Sequence, residues 1–243
     1  HVGLQASLTL LAEEGASWLL DISIRPGSLS KRRELTKRYQ KIRYATGLHP
    51  GSVGSAPLQE HLERMKEELR EPDVVAAGEM GLDWIKGGAS REEQAEAFAE
   101  QIKLADAYRK PIVIHNRGAD TEILDLIRRH TPAAGGIMHC FSSDWDNARA
   151  ALDLGLHLSF AGNITYPRGS QEIVEACRRV PSDRLLLETD APFLAPQRVR
   201  GRPNSPAYIG HTYDFVSELR EVAVGELVER VERNFMELFQ LQE

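Results

Sequence analysis

Residues 74–115, VVAAGEMGLDWIKGGASREEQAEAFAEQIKLADAYRKPIVIH, contain a strand, a helix and a second strand in one run. Val74 to Glu79 (VVAAGE) is short and aliphatic, as expected of a strand covered on both faces. Arg91 to Tyr108 has the spacing of a long helix, and Pro111 to His115 (PIVIH) returns to the buried-strand pattern. A strand–helix–strand unit of this kind builds parallel sheet through a right-handed crossover. Both strands are expected to end on a metal-binding residue type, Glu79 and His115.

The same alternation extends in both directions. Ser17–Ile22, Ile42–Gly47, Gly136–His139, Leu156–Phe160 and Leu185–Glu188 read as further strands, making seven. Helices are predicted over Leu4–Glu14, Pro26–Tyr39, Pro57–Arg70, Asp120–Arg129, Asn147–Leu154 and Gln171–Val180. The end, Tyr208–Phe239, reads as two helices separated near Gly225. Linkers, repeats and low-complexity stretches are absent, so residues 1–243 are expected to form a single barrel domain. Length and alternation point to a TIM-like (β/α)8 barrel, with an open seven-stranded sheet as the rival. A closed barrel needs eight strands and the chain opens on a helical pattern. The first strand is therefore expected to be missing or truncated upstream of His1.

Bulk composition narrows the functional classes. The 243 residues are 42% hydrophobic and 27% charged, ordinary for a globular protein with a sizeable core. Apolar stretches are too short to cross a bilayer, so no membrane association is expected. The two cysteines, Cys140 and Cys177, form no disulfide framework, and a cytoplasmic location is the expectation. A net charge of −6 argues against a protein that coats nucleic acid with its whole surface, but is neutral about a nuclease with a local basic groove. Nothing points to an obligate protein partner.

The strand ends carry the chemistry. In a parallel α/β barrel all strand C-termini open onto one rim. His115 and His139 end neighbouring strands, with Glu79 and Asp190 ending flanking ones, and two imidazoles with two carboxylates suit a divalent metal. For Glu79 the alternative is a salt bridge to a rim arginine such as Arg117. Asp190, in ETDAPFLAP (188–196), is expected to lie nearer the strand end than Glu188, to reach the metal and to serve as general base. Glu188 is expected to support another ligand. His49, in TGLHP, is a metal ligand, a support for a ligand or a substrate contact, with the last two favoured because four ligands already exist. His61, His130, His157 and His211 are expected to be packing or surface residues. Arg198, Arg200 and Arg202 follow Asp190, with Arg117 and Arg168 on neighbouring loops, and arginines over a metal site suit a phosphate-bearing substrate. The basic run Lys31–Arg43 is expected to be an exposed helix face.

With those residues placed, the chain resembles the TatD family of metal-dependent hydrolases, among the amidohydrolase-like barrels. The resemblance covers TGLHP (46–50), GEMGLD (78–83), PIVIHNR (111–117), MHCFS (138–142), ETDAPFLAP (188–196), GRPNSPAY (201–208) and NFMELF (234–239). It implies one or two divalent metals, Zn, Mn or Mg, and hydrolysis of DNA phosphodiesters, often from the 3′ end. Metal-ligand positions carry over to Glu79, His115, His139 and Asp190. The family's first strand ends in an H-x-H pair, and His1 would be its second histidine; a purification-tag remnant is the other reading. Glu79 would bridge two metals, with His49, Arg117 and Arg202 contacting phosphate and Asn204 at the mouth. The alternative activity is hydrolysis of a C–N or ester bond in a small molecule or an aminoacyl-tRNA. A catalytically dead scaffold barrel is the third reading, against which the intact ligand set argues.

Overall fold

A computed structural model of the chain describes residues 18–241. These fall into two compact units, Trp18–His139 with Leu154–Leu156, and Cys140–Asp153 with the described residues from His157 onward. The expected helix at Leu4–Glu14 and the placement of His1 lie outside the described residues.

In the first unit, strands β1 (Leu19–Ile22), β2 (Ile42–Thr46), β3 (Val74–Asp83), β4 (Ile112–Arg117) and β5 (Gly136–Met138) lie side by side in sequence order. Every neighbouring pair is parallel. Their C-terminal ends therefore share one edge. Helices α1 (Leu29–Thr36), α2 (Leu58–Leu69), α3 (Arg91–Ala107) and α4 (Asp120–Arg129) connect them. The strands supply Val74, Ala76, Ala77, Met80, Leu82, Ile112, Val113 and Ile114 to the core; the helices supply Met65, Leu69, Phe98, Ile102, Ile123 and Ile127. Each large side chain of this set stabilises the fold by about 1.5–3 kcal/mol on burial. The α3 helix starts at a reciprocal capping box: Ser90 accepts from the Glu93 amide, and the Glu93 carboxylate accepts from the Ser90 amide. Buried Glu68 on α2 accepts the Gly27 and Leu29 amides and the Thr46 hydroxyl, tying α2 to the entry of α1 and to β2.

Strand β3 departs from the sequence-based expectation. It continues to Asp83 rather than ending at Glu79, and its register against β4 shifts between Ala77 and Met80. Glu79 thus projects from an irregularity inside the strand. Glycines allow this. Gly78 and Gly81 both take φ of +147°, and a Cβ on Gly81 would stand 2.0 Å from the His115 carbonyl oxygen. Val113's carbonyl oxygen lies 2.6 Å from the corresponding position on Gly78. The backbones of β3 and β4 approach closely at the two positions flanking Glu79.

The second unit contains α5 (Trp145–Asp153), β6 (Leu156–Phe160, whose first residue belongs to the first unit), α6 (Gln171–Arg179), β7 (Leu185–Leu187), α7 (Ile209–Arg220) and α8 (Val224–Phe239). Strands β6 and β7 pair in parallel. Asn234, buried on α8, donates its amide to the carbonyls of Ser182 and Leu185 and so anchors the helix at the start of β7. The last two helices part at Glu221–Ala223, close to Gly225 as expected. Glu221 takes the left-handed turn at φ +55°, and Gly225 lies in the first turn of α8. A single left-handed residue does not require glycine, and the buried stripe of Leu227 and Val231 decides where α8 begins.

Gly81→Ala meets backbone on β4 and an unfavourable φ together, and neither is relieved by a side-chain rotation. We expect a loss of about 2–4 kcal/mol in urea denaturation. A stability unchanged within experimental error would show that the close approach of β3 and β4 is not constraining.

Candidate metal centre

Four side chains of the first unit meet at the edge where β2 to β5 end. Glu79 comes from the irregular segment of β3 and His115 from β4. His139 is the first residue after β5, and His49 lies three residues after β2, capping the 3₁₀ turn Pro50–Ser52. Their common point is Glu79 Oε1. His115 Nδ1 lies 2.7 Å from it, His139 Nε2 3.1 Å and His49 Nε2 3.7 Å.

The hydrogen-bond partners assign the ring nitrogens. His49 Nδ1 accepts the Gly51 amide at 2.9 Å, so in the neutral ring the proton sits on Nε2, which faces Glu79 and His115. His49 therefore presents an N–H to the site. Burial lowers its pKa, keeping the ring neutral over a wider range than an ordinary histidine. His115 is arranged the other way round. Its Nε2 lies 3.3 Å from Asp83 Oδ2, and Asp83 is fixed by the Ile85 and Lys86 amides, both donating to Oδ1. With Nε2–H donated to Asp83, the Nδ1 lone pair points at Glu79 Oε1.

A lone pair and a carboxylate oxygen at 2.7 Å repel each other unless a proton or a cation joins them. The donor set of imidazole nitrogens and a carboxylate is one that divalent Zn or Mn takes, and the carboxylate–histidine–metal relay through Asp83 is a recurrent support for it. The residues therefore fit a divalent cation held by Glu79, His115 and His139. With protons in place of a cation, burial alone would raise the Glu79 pKa, but the hydrogen bonds and positive charge of protonated His115 and His139 outweigh it and hold the carboxyl well below the usual range. For Asp83 burial acts in the same upward direction, and the Lys86 and Ile85 amides overcome it. Both carboxylates are anionic at neutral pH.

Of the residues expected at the site, His49, Glu79, His115 and His139 are brought together within the first unit. Arg117 ends β4 with an exposed side chain. Asp190, Arg202 and Asn204 belong to the second unit, and His1 lies outside the described residues. Within the second unit, Glu188 rather than Asp190 is next to the strand end, because β7 stops at Leu187 and Asp190 lies on the following turn at φ +54°. The Glu188 carboxylate accepts the Cys140 amide at 2.8 Å and the Ser159 hydroxyl at 2.5 Å. Asn204 is 6% exposed; its amide donates to the Thr189 and Phe193 carbonyls, and its oxygen accepts the Ser205 amide. Sequence reasoning misses Asp83 because GEMGLD reads as a loop after Glu79. The available signal is an acidic residue following Leu82 in an apolar run, costly to bury without partners.

Asp83→Asn retains an oxygen for the two amides but presents N–H to His115 Nε2. We expect divalent-metal affinity to fall about 10–100-fold, measured by competition with a chelating dye, with an unchanged far-ultraviolet spectrum. Equal affinity in the variant would remove Asp83 from the site.

The comparisons agree with this chemistry. The family model described as TatD related DNase matches residues 4–240. The metal-dependent hydrolase YcfH of Escherichia coli, named as uncharacterized, is 36% identical over 217 residues, covering 89% of this chain and 80% of its own. The 3′-5′ ssDNA/RNA exonuclease TatD of Pantoea vagans is 35% identical over 202 residues, covering 80% and 76%. The crystal structure of YjjV, a TatD homologue from Escherichia coli, superposes with a TM-score of 0.91 at 30% identity, covering 98% of this chain and 92% of that one. The chain is thus a member of the TatD-related DNase family, a metal-dependent hydrolase with a TIM-like barrel fold.

Proposed function

We propose that this hydrolase cleaves the phosphodiester bonds of DNA, removing nucleotides from the 3′ end of a strand. The observation that carries the reading is the convergence of His115 Nδ1 and His139 Nε2 on Glu79 Oε1 beside the inward N–H of His49. That arrangement offers a cation site and a neutral hydrogen-bond donor at one point, as an anionic phosphodiester requires. The name of the Pantoea relative supports the substrate class. So do the exposed arginines Arg198, Arg200 and Arg202 on the segment after Asp190.

Glu79, His115 and His139 would hold the first cation, and His1 and Asp190 would complete the ligand set for one or two ions of Zn, Mn or Mg. When bound, such a cation neutralises phosphate charge and makes a water more acidic. Asp190 acts as general base and takes the proton of the attacking water. The water oxygen bonds to phosphorus, the P–O3′ bond breaks, the 3′ oxygen takes up a proton and the terminal nucleotide leaves as a 5′-monophosphate. His49 donates its Nε2–H to a phosphate oxygen, and Arg117 and Arg202 contact the phosphate. Asn204 acts from behind, bracing the loop that carries Asp190.

Purified protein assayed on labelled single- and double-stranded DNA with Mg²⁺, Mn²⁺ or Zn²⁺ should release 5′-mononucleotides, and EDTA should stop it. Glu79→Ala should lower turnover by roughly a thousandfold or more, removing the anion around which the site is built. Near-wild-type turnover in that variant would refute the site, and absence of cleavage with every metal would refute the substrate class. Arg202→Ala should weaken single-strand binding and reduce the salt slope of log K by about 0.7, the value for one lost phosphate contact.

A further inference from the structure

Phe193 is 67% exposed, the most exposed of the large hydrophobic side chains among the described residues. A lone exposed apolar residue needs no explanation by itself. Phe193 differs in how it is held. Its amide donates to the Asp190 carbonyl at 2.8 Å, closing a tight turn directly behind a residue read as general base. Its carbonyl accepts the Asn204 side-chain amide at 2.6 Å, while the Asn204 backbone amide donates to the Pro192 carbonyl at 2.9 Å. Buried Asn204 therefore fixes the backbone on both sides of a ring that is itself left in water. Fixing a backbone without burying its side chain yields no core packing. It does pre-organise an aromatic face for something that arrives from outside.

The surroundings say what that is. The loop after β6 is bound to the loop after β7: Thr165 Oγ1 accepts the Gln197 amide at 2.7 Å, and the Tyr166 hydroxyl donates to the Ala195 carbonyl at 3.1 Å. Gly162 packs so closely that an added Cβ would stand 2.3 Å from the Leu194 carbonyl oxygen. On this joined surface the Arg200 guanidinium lies 4.3 Å above the Tyr166 ring, and Arg168, Arg198 and Arg202 are exposed. From Ala191 to Tyr213 there are three arginines and no acidic residue, in a chain of net charge −6. Exposed arginines beside an exposed aromatic ring on a fixed backbone suit a ligand that alternates anionic groups with flat apolar rings. An unpaired polynucleotide strand is such a ligand.

We infer that Phe193 is a substrate-binding residue on whose ring a nucleobase of the substrate stacks, so that the strand is read with its bases unpaired. The inference rests on the phosphodiesterase reading above and adds the part of the substrate that is gripped. A paired base behind the terminus has both faces covered by its neighbours in the duplex, so stacking on such a base requires a single strand or a frayed end.

Two measurements separate this inference from the nuclease reading. In the first, kcat/KM of wild type, Phe193→Leu and Phe193→Trp is measured on an oligonucleotide and on the same oligonucleotide ending in abasic tetrahydrofuran residues. Phe193→Leu should lower kcat/KM on the normal oligonucleotide about tenfold, within the range for loss of one stacked base. It should leave the abasic oligonucleotide unaffected, and Phe193→Trp should restore the wild-type preference. Equal losses on both oligonucleotides, or a loss on neither, would overturn the inference while leaving the nuclease intact. In the second measurement, EDTA prevents turnover and the fluorescence of a 3′-terminal 2-aminopurine is followed on titration with protein. Quenching by wild type and Phe193→Trp, but not by Phe193→Leu, supports stacking even if no cleavage is found. Equal quenching by all three, or by none, overturns it.

Discussion

One carboxylate oxygen organises the first unit. Glu79 Oε1 sits in an apolar strand, where an isolated charge would be costly, and two imidazole nitrogens face it within 3.1 Å. An anion so placed requires positive charge, from protonated histidines or from a cation. The same geometry that makes the site a poor place for an uncompensated carboxylate makes it a good place for a divalent ion. The rest of the local structure serves to hold that oxygen still. Gly78 and Gly81 let β3 press against β4 on either side of Glu79, and the register shift turns the side chain to the imidazoles.

Tautomers divide the work among residues of the same type. His49 and His115 are only 3.3 Å apart between ring nitrogens, yet their outer partners differ. The Gly51 amide takes up the Nδ1 lone pair of His49 and leaves its N–H facing inward; the Asp83 carboxylate takes up the Nε2–H of His115 and leaves a lone pair facing inward. One histidine thereby presents a donor to the site and the other a lone pair. Distance alone would place both in a single ligand set with Glu79. The peripheral hydrogen bonds decide their separate roles.

Much of this arrangement is legible in the amino-acid sequence. The strands announce themselves as short aliphatic runs, and β1 to β7 lie where those runs lie. His115 and His139 stand out because an imidazole at the end of such a run is conspicuous. What is not legible depends on backbone conformation. Two glycines and two acids in GEMGLD argue locally against a strand, which places the expected end of β3 at Glu79 and puts Asp83 in a loop. The pairing with β4 overrides that preference, with Asp83 opposite Arg117 in register. Asn204 shows the same gap. Its residue type fits a substrate contact as well as a brace, and only its amide bonds to Thr189 and Phe193 show that it supports the loop.

Charge placement explains how an acidic protein could handle a polyanion. A net charge of −6 repels phosphate chains at long range and suppresses adherence to the surface at large. Screening limits that repulsion to about 8–10 Å at physiological salt, so short-range contacts decide binding. In the proposed function Arg198, Arg200 and Arg202 would provide them, on a segment without acids. Arginine keeps its charge at any working pH and binds phosphate in a fixed planar geometry, and Arg200 is further oriented by the Tyr166 ring beneath it. In the proposed function binding is then local, because this segment combines positive charge with an exposed aromatic ring on a hydrogen-bonded backbone three residues from Asp190. A surface basic throughout would hold a nucleic acid anywhere along its length; one that is acidic on balance but basic at this loop would confine contact to the loop.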